Sequence, residues 1–134
     1  LIGAPWMDTA ISKQMETVNL KGASFNYASF KPKSLKGKSE NPKYKDIRCQ
    51  GFKIKITNRK SFQSIISAVR SLEEIYSLYE DVLELNELRM KQLWGNDQIL
   101  RLLKKEIKPK QFFRELKKDE KVFKRKSKPY LLYN

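Results

Sequence analysis

Apolar residues recur at helical spacing in several stretches of the chain and alternate with polar ones in two others. Asp8 is placed to cap a helix running to about Leu20, with Ile11, Met15 and Val18 four and three residues apart, and Gly22 to end it in the left-handed conformation. Phe25, Tyr27 and Ser29 then alternate with small or polar neighbours until Pro32, which predicts a strand with one buried face. From Ile47 to Thr57 the alternation is stronger, with Phe52, Ile54 and Ile56 on one face and Lys53, Lys55 and Thr57 on the other, so a second strand is expected there.

Between the strands, residues 33 to 46 are polar and contain Gly37 and Pro42, the pattern of a long basic loop. After a turn at Asn58 to Ser61, apolar residues from Phe62 through Val69 and Leu72 to Tyr79 recur at three and four, predicting an amphipathic helix of about five turns. Val82, Leu83, Leu85 and Leu88 predict a continuation or second helix. Gly95 breaks the chain, and Asn96 caps a helix carrying Ile99, Leu100, Leu103 and Ile107. Pro109 suits the first turn of another, with Phe112, Phe113, Leu116, Val122 and Phe123 as its apolar stripe, and Pro129 predicts an extended, docked end at Tyr130 to Tyr133. A few strands with four or five helices make an α+β domain of two layers, a small sheet packed against the helices, rather than a doubly wound sheet.

At 134 residues the chain is of a size for one domain with a single core that buries about two thirds of its surface. Hydrophobic residues at 40% exclude disorder throughout, although charged residues reach 33%. The four-residue run Tyr130 to Tyr133 is among the longest apolar ones, far below the roughly 20 residues that span a bilayer. The sequence opens at Leu1 without a basic-then-apolar leader and is expected to be a piece of a longer gene product.

Twenty-nine Lys plus Arg against fifteen Asp plus Glu give a net charge of +14, which favours polyanionic partners. The excess is concentrated. Residues 31 to 60 hold eleven bases and two acids, residues 101 to 128 thirteen bases and four acids, while residues 71 to 88 hold six acids and no base. The segment Lys117 to Lys128 invites a nucleic-acid reading, with cations tracking phosphates and Phe123 stacking. The apolar stripe needs a core, however, so the aromatics are expected to be buried and the lysines solvated, and a basic nucleic-acid-binding module stays the alternative.

Much catalytic chemistry is excluded. There is no histidine, so no His-based triad or Cys/His zinc site, and one cysteine, Cys49, permits no internal disulfide. Glycines at 3, 22, 37, 51 and 95 are too scattered for a phosphate-cradling loop. Cys49 lacks a neighbouring base and is expected in the core. No carboxylate pair stands out among the acids from Glu73 to Glu87 as a glycosidase couple. No cofactor, metal site or catalytic residue is expected within the chain.

Five segments together carry a resemblance: Leu1-Ile-Gly-Ala-Pro-Trp6, Phe30-Lys-Pro, Tyr44-Lys-Asp-Ile-Arg-Cys49-Gln-Gly51 leading into Ile54-Lys-Ile-Thr-Asn58, Leu93-Trp-Gly95-Asn-Asp97, and Lys128-Pro-Tyr-Leu-Leu-Tyr133. In order and spacing they resemble the C-terminal domain of the bacterial NamZ-type exo-β-N-acetylmuramidases, formerly a domain of unknown function, over nearly the whole chain. The resemblance implies a parent enzyme that removes N-acetylmuramic acid from non-reducing ends of peptidoglycan fragments in the cell envelope or medium. Its catalytic glutamates would lie in an upstream Rossmann-like domain of the same polypeptide. This domain, inactive alone, would pack on that one and close one side of the sugar cleft.

The lactyl carboxylate of muramic acid suits a cation in desolvated surroundings, so Arg48, Arg59 and the basic loop are candidate cleft contacts. Asn58 is a further candidate; it stands where the family often has the aspartate of an Asp-Arg pair, with Arg59 retained. Tyr44 and Trp6 are candidates to stack on a sugar ring, and Trp6, with Pro5, to pack at the seam with the catalytic domain.

Overall fold

The computed structural model describes residues 1–131, and the chain divides into two compact units, Leu1–Glu84 and Leu85–Asn134. In the first unit Asp8 lies in extended backbone and its Oδ1 accepts the Ala10 amide at 2.8 Å, satisfying an amide that a helix start leaves without a partner. The helix α1 that follows, Thr9–Thr17, ends earlier than its apolar spacing suggests, because Val18 turns extended. Gly22 is left-handed as expected, at φ +75°, but it serves the turn into the sheet rather than the helix end. Its carbonyl accepts the Thr57 and Asn58 amides at 2.9 and 3.3 Å, and a methyl group there would lie 2.5 Å from the Asn58 carbonyl oxygen.

Three antiparallel strands follow the order β1 (Ile2–Ala4), β3 (Cys49–Ile56), β2 (Ala23–Phe30). The strand β1 has no counterpart in the sequence reading, since three residues including a glycine carry no periodicity. The central strand β3 pairs Gly51 with Gly3 on one side and Ala28 on the other. A methyl group on Gly51 would run into the Ile2 carbonyl oxygen and come within 2.7 Å of the Gly3 Cα, and one on Gly3 would meet the Gln50 carbonyl and the Phe30 ring. The Gly3–Gly51 pair is therefore small because β1 and β3 approach too closely there for anything larger.

On the covered face, Phe25 meets Phe52 edge to face with centroids 5.9 Å apart, and Ala4, Met7, Ile11, Met15 and Ile75 complete the buried cluster. The helix α1 packs on β2, β3 and α2 (Ser64–Tyr79). Ile56, expected on the buried face, is half exposed at the last position of β3.

Of the residues expected to carry a continuation or second helix, Val82, Leu83 and Leu85 are not helical, and Leu88 lies in a separate helix that begins at Glu87. The helix α2 stops at Tyr79, ahead of Glu80, Asp81 and Glu84, whose charges oppose the negative end of a helix dipole. In the second unit, Asn86 accepts the Arg89 amide at 2.9 Å and starts α3 (Glu87–Trp94), which Gly95 ends at φ +89°. The Asn96 side chain accepts the Gln98 amide at 2.9 Å ahead of α4 (Gln98–Leu103). That helix stops before Ile107: Lys105 adopts φ +61° and the Glu106 amide turns back to the Arg101 carbonyl at 2.8 Å. Pro109 opens α5 (Pro109–Ser127) as its ring allows.

Among the described residues of this unit, Ile99, Leu100, Leu102, Leu103, Ile107 and Phe112 are buried, with Trp94 and Phe113 ringing Phe112 at centroid distances of 5.7 and 5.3 Å. Pro129 sits in a 3-10 turn, Lys128–Tyr130, and Tyr130 and Leu131 are exposed, so these residues do not form the extended, docked end expected. The rest of that expected strand lies outside the described residues. One antiparallel sheet and five α-helices among the described residues make this an α+β protein.

The tight crossing at Gly51 can be separated from ordinary glycine flexibility. Gly51→Ala is expected to cost about 3 kcal/mol in urea denaturation, because the added carbon meets backbone. Gly37→Ala, at φ +71° with open space around it, is expected to cost only about 1 kcal/mol. Equal costs at the two positions would show that the strands do not approach so closely.

Candidate functional site

The register of the sheet gathers several sequence candidates at one end. The strand β1 leaves the sheet at Ala4 opposite Gln50, β3 starts at Cys49, and β2 ends at Phe30 opposite Cys49. The segment after β1 (Pro5, Trp6), the segment before β3 (Tyr44, Arg48) and the end of β2 (Ser29) therefore share that end. Asn58 and Arg59 follow the far end of β3, whose eight residues span roughly 25 Å. One sugar ring cannot touch both Arg48 and Arg59.

Four side chains interlock at the near end. The Trp6 indole N–H donates to the Tyr44 hydroxyl at 3.2 Å, and the Trp6 ring lies against Tyr79 with centroids 5.4 Å apart. The Tyr79 hydroxyl donates to Asp8 Oδ1 at 2.9 Å and accepts the Asp8 amide at 3.3 Å. Tyr44 is held at φ +60°, in a loop pinned by the Asp46 amide on the Pro32 carbonyl at 2.8 Å and the Ile47 amide on the Tyr44 carbonyl at 3.0 Å. A non-glycine residue in that region costs about 1–2 kcal/mol, so surrounding contacts must hold it. The Lys43 ammonium sits 5.1 Å from the Tyr44 ring centre. Trp6 and Tyr44 are half-buried, packed against the edge of the core.

Beside this cluster the sheet carries a polar ladder. Tyr27 donates to Gln50 Oε1 at 2.9 Å, and the Arg48 Nε donates to Ser29 Oγ at 3.1 Å with the guanidinium exposed. Tyr27, on the face the alternation assigns to the core, is 43% exposed. Cations, amide, hydroxyls and open aromatic surface thus lie together, a combination able to bind a polar ring with an anionic substituent.

The other candidates are placed differently. The Asn58 side chain accepts the Lys60 and Ser61 amides at 2.9 and 3.3 Å and so shapes the turn, and Arg59 is exposed beside it. Pro5 is half-buried between β1 and α1. Asp8, Tyr79, Tyr27 and Gln50 were not singled out as site residues, and Lys43 entered only as part of the basic loop. Asp8 gave only a capping signal and Tyr79 only a position on an apolar stripe, and their meeting spans 71 residues.

The electrostatics here supports structure more than acid-base chemistry. Asp8 is held below the usual carboxylate range, chiefly by the Ala10 amide and then by the Tyr79 hydroxyl, while burial pushes the Tyr79 hydroxyl up. Burial also raises the Cys49 thiol, whose Sγ donates to the Ile47 carbonyl at 3.7 Å. Glu73 is raised by desolvation, which outweighs its ion pair with Arg70 at 3.1 Å. Among the described residues no cluster of carboxylates and thiols fits a metal ion. No helix among them is long and apolar enough to cross a membrane.

The Asp8 arrangement has a pH signature. Its folded-state pKa lies below the unfolded value of about 3.9, so it stabilises the fold above that pH and the stabilisation is lost as pH falls through the folded pKa. Asp8→Asn keeps an acceptor for the Ala10 amide but does not titrate. Urea midpoints measured between about pH 2 and 6 are expected to fall less steeply on acidification in the variant than in the parent. Parallel curves would show that Asp8 is not held by Tyr79 and Ala10.

With this geometry in place, comparison with known proteins is informative. Residues 1–133 match the family described as "Exo-beta-N-acetylmuramidase NamZ, C-terminal". The chain is 26% identical over 135 aligned residues to the peptidoglycan beta-N-acetylmuramidase NamZ of Bacillus subtilis (strain 168), covering 99% of this chain and 31% of that protein. The crystal structure of a DUF1343 family protein from Bacteroides fragilis NCTC 9343 superposes with a TM-score of 0.76 at 20% identity, covering 98% of this chain and 34% of that one. The chain thus spans about a third of the length of these relatives, and it belongs to the family of NamZ C-terminal domains.

Proposed function

We propose that residues 1–134 act as one auxiliary domain of a peptidoglycan-acting exo-β-N-acetylmuramidase. Its near sheet end packs beside a catalytic domain of the same polypeptide and lines the sugar cleft. The observation that carries this reading is the Trp6, Tyr44 and Arg48 grouping: half-buried aromatic residues and an exposed arginine at one end of the sheet, within a chain of this family. A stacking surface beside a cation suits an N-acetylmuramic acid residue, whose lactyl group is a carboxylate. Trp6 and Pro5 supply the seam and Tyr44 and Arg48 the sugar contacts.

Catalysis belongs elsewhere in this scheme. Glycoside hydrolysis needs two carboxyl groups about 5–9.5 Å apart across the scissile bond, and near this sheet end Asp8 is engaged as a helix cap, while Glu73, Glu87 and Glu120 are held in ion pairs. A peptidoglycan substrate also places the working enzyme in the cell envelope or the medium.

Two measurements test this. The isolated chain is expected to release no N-acetylmuramic acid from a chromogenic muramide, and release would contradict an auxiliary role. In the longer enzyme, Arg48→Ala is expected to raise KM for the muramide about tenfold with kcat little changed, the loss of one charge-assisted hydrogen bond. Arg59→Ala, at the far end of β3, is expected to stay within about twofold on the same grounds. A larger effect at Arg59 than at Arg48 would move the cleft to the other end of the sheet.

A further inference from the structure

The basic segment near the C-terminus is not absorbed by the sugar-binding reading, and folding gives it a definite form. At 3.6 residues per turn, Lys110, Arg114, Lys117, Lys118, Lys121 and Arg125 of α5 fall within a sector roughly 100° wide, and Lys124 lies at its edge. All seven are exposed. The three acids of the helix, Glu115, Asp119 and Glu120, lie outside that sector. Of the seven cations, Lys124 alone is in an ion pair among the described residues, with Glu120 at 2.5 Å. The stripe runs about 22 Å along the helix at 1.5 Å per residue. Five of its cations line an open depression of about 680 Å³, with the half-buried Phe113 and Val122 at the margins.

A face kept charged only for solubility intersperses both signs. Here like charges stand three and four residues apart along one line, each pair destabilising the helix by a few tenths of a kcal/mol until an anion neutralises them. We infer that this stripe is a binding surface for a flexible linear polyanion whose charges are phosphates. Rungs about 5–6 Å apart can be followed by such a chain, and arginine and lysine both suit phosphate. A bilayer surface fits less well, because a helix lying on lipid needs exposed apolar residues flanking its cations. Phe112 is buried, Phe113 and Val122 are half-buried, and the exposed Phe123 lies on the opposite side of the helix. A rigid duplex curves away from a straight stripe after a few phosphates. This inference does not depend on the sugar cleft, which lies in the other unit.

The test is a titration of fluorescently labelled inorganic polyphosphate with the 134-residue chain at several salt concentrations. Six phosphates neutralised on a flexible chain give a slope of log affinity against log salt of about −4. The variant Lys110→Gln, Lys117→Gln, Lys121→Gln is expected to reduce that slope by about 2. Lys110→Arg, Lys117→Arg, Lys121→Arg is expected to bind as the parent does, and circular dichroism confirms that both keep the helix. Lys36→Gln, Lys38→Gln, Lys53→Gln, in the other basic segment, is expected to leave the slope unchanged. An unchanged slope in the first variant, an equal loss in the last, or tighter binding per phosphate to phosphatidylglycerol vesicles or duplex DNA would overturn the inference.

Discussion

The first unit depends on how closely β1 approaches the centre of its sheet. Gly51 pairs with Gly3, and a side chain at either position would run into the backbone of the other strand. This closeness costs backbone entropy at two glycines but allows a strand of only three residues to join the sheet. Once joined, β1 delivers Met7 to the core beside Ile11, Met15 and Phe52, and Trp6 to the rim beside Tyr44 and Tyr79. The helix start at Asp8 follows at once and is tied back to α2 through Tyr79. Sheet, helix cap and aromatic cluster are thus successive consequences of one short strand finding its place.

That construction brings Trp6, Tyr44 and Arg48 to the same end of the sheet. At the near end three chain segments converge, two of them in irregular backbone that can present side chains outward. At the far end the chain turns tightly through Asn58 and Gly22, and the side-chain and main-chain oxygens of Asn58 are engaged in the turn. The two cations named from sequence, Arg48 and Arg59, are equivalent by residue type and by family likeness. Only the strand between them separates their positions, at opposite ends of β3.

The elements with sustained periodicity were legible in the sequence: β3 with its alternating Phe52 and Ile54, the apolar stripe of α2, and α5 behind Pro109. The cap at Asp8 was legible because capping is local chemistry. What escaped was short or distant. The strand β1 is too brief to show a period, the stop of α2 depends on charges past its end, and the early ends of α1 and α4 depend on single backbone conformations at Val18 and Lys105. At the site, Trp6 and Tyr44 were legible as residue types, but Asp8 and Tyr79 join them only through packing across the whole first unit. The basic run of α5 was visible as composition, whereas its alignment into one acid-free stripe needed the extent of the helix.

The central claim, that β1 is a full member of the sheet and fixes the aromatic cluster, is tested most directly by amide hydrogen exchange followed by NMR. The account predicts that the sheet-bonded amides of Ile2–Ala4 exchange as slowly as those of Cys49–Ile56, with cross-strand Overhauser contacts linking Gly3 to Gly51. Exchange of residues 2–4 at the rate of an unstructured peptide, while β2 and β3 stay protected, would contradict it and leave Trp6 without a fixed place.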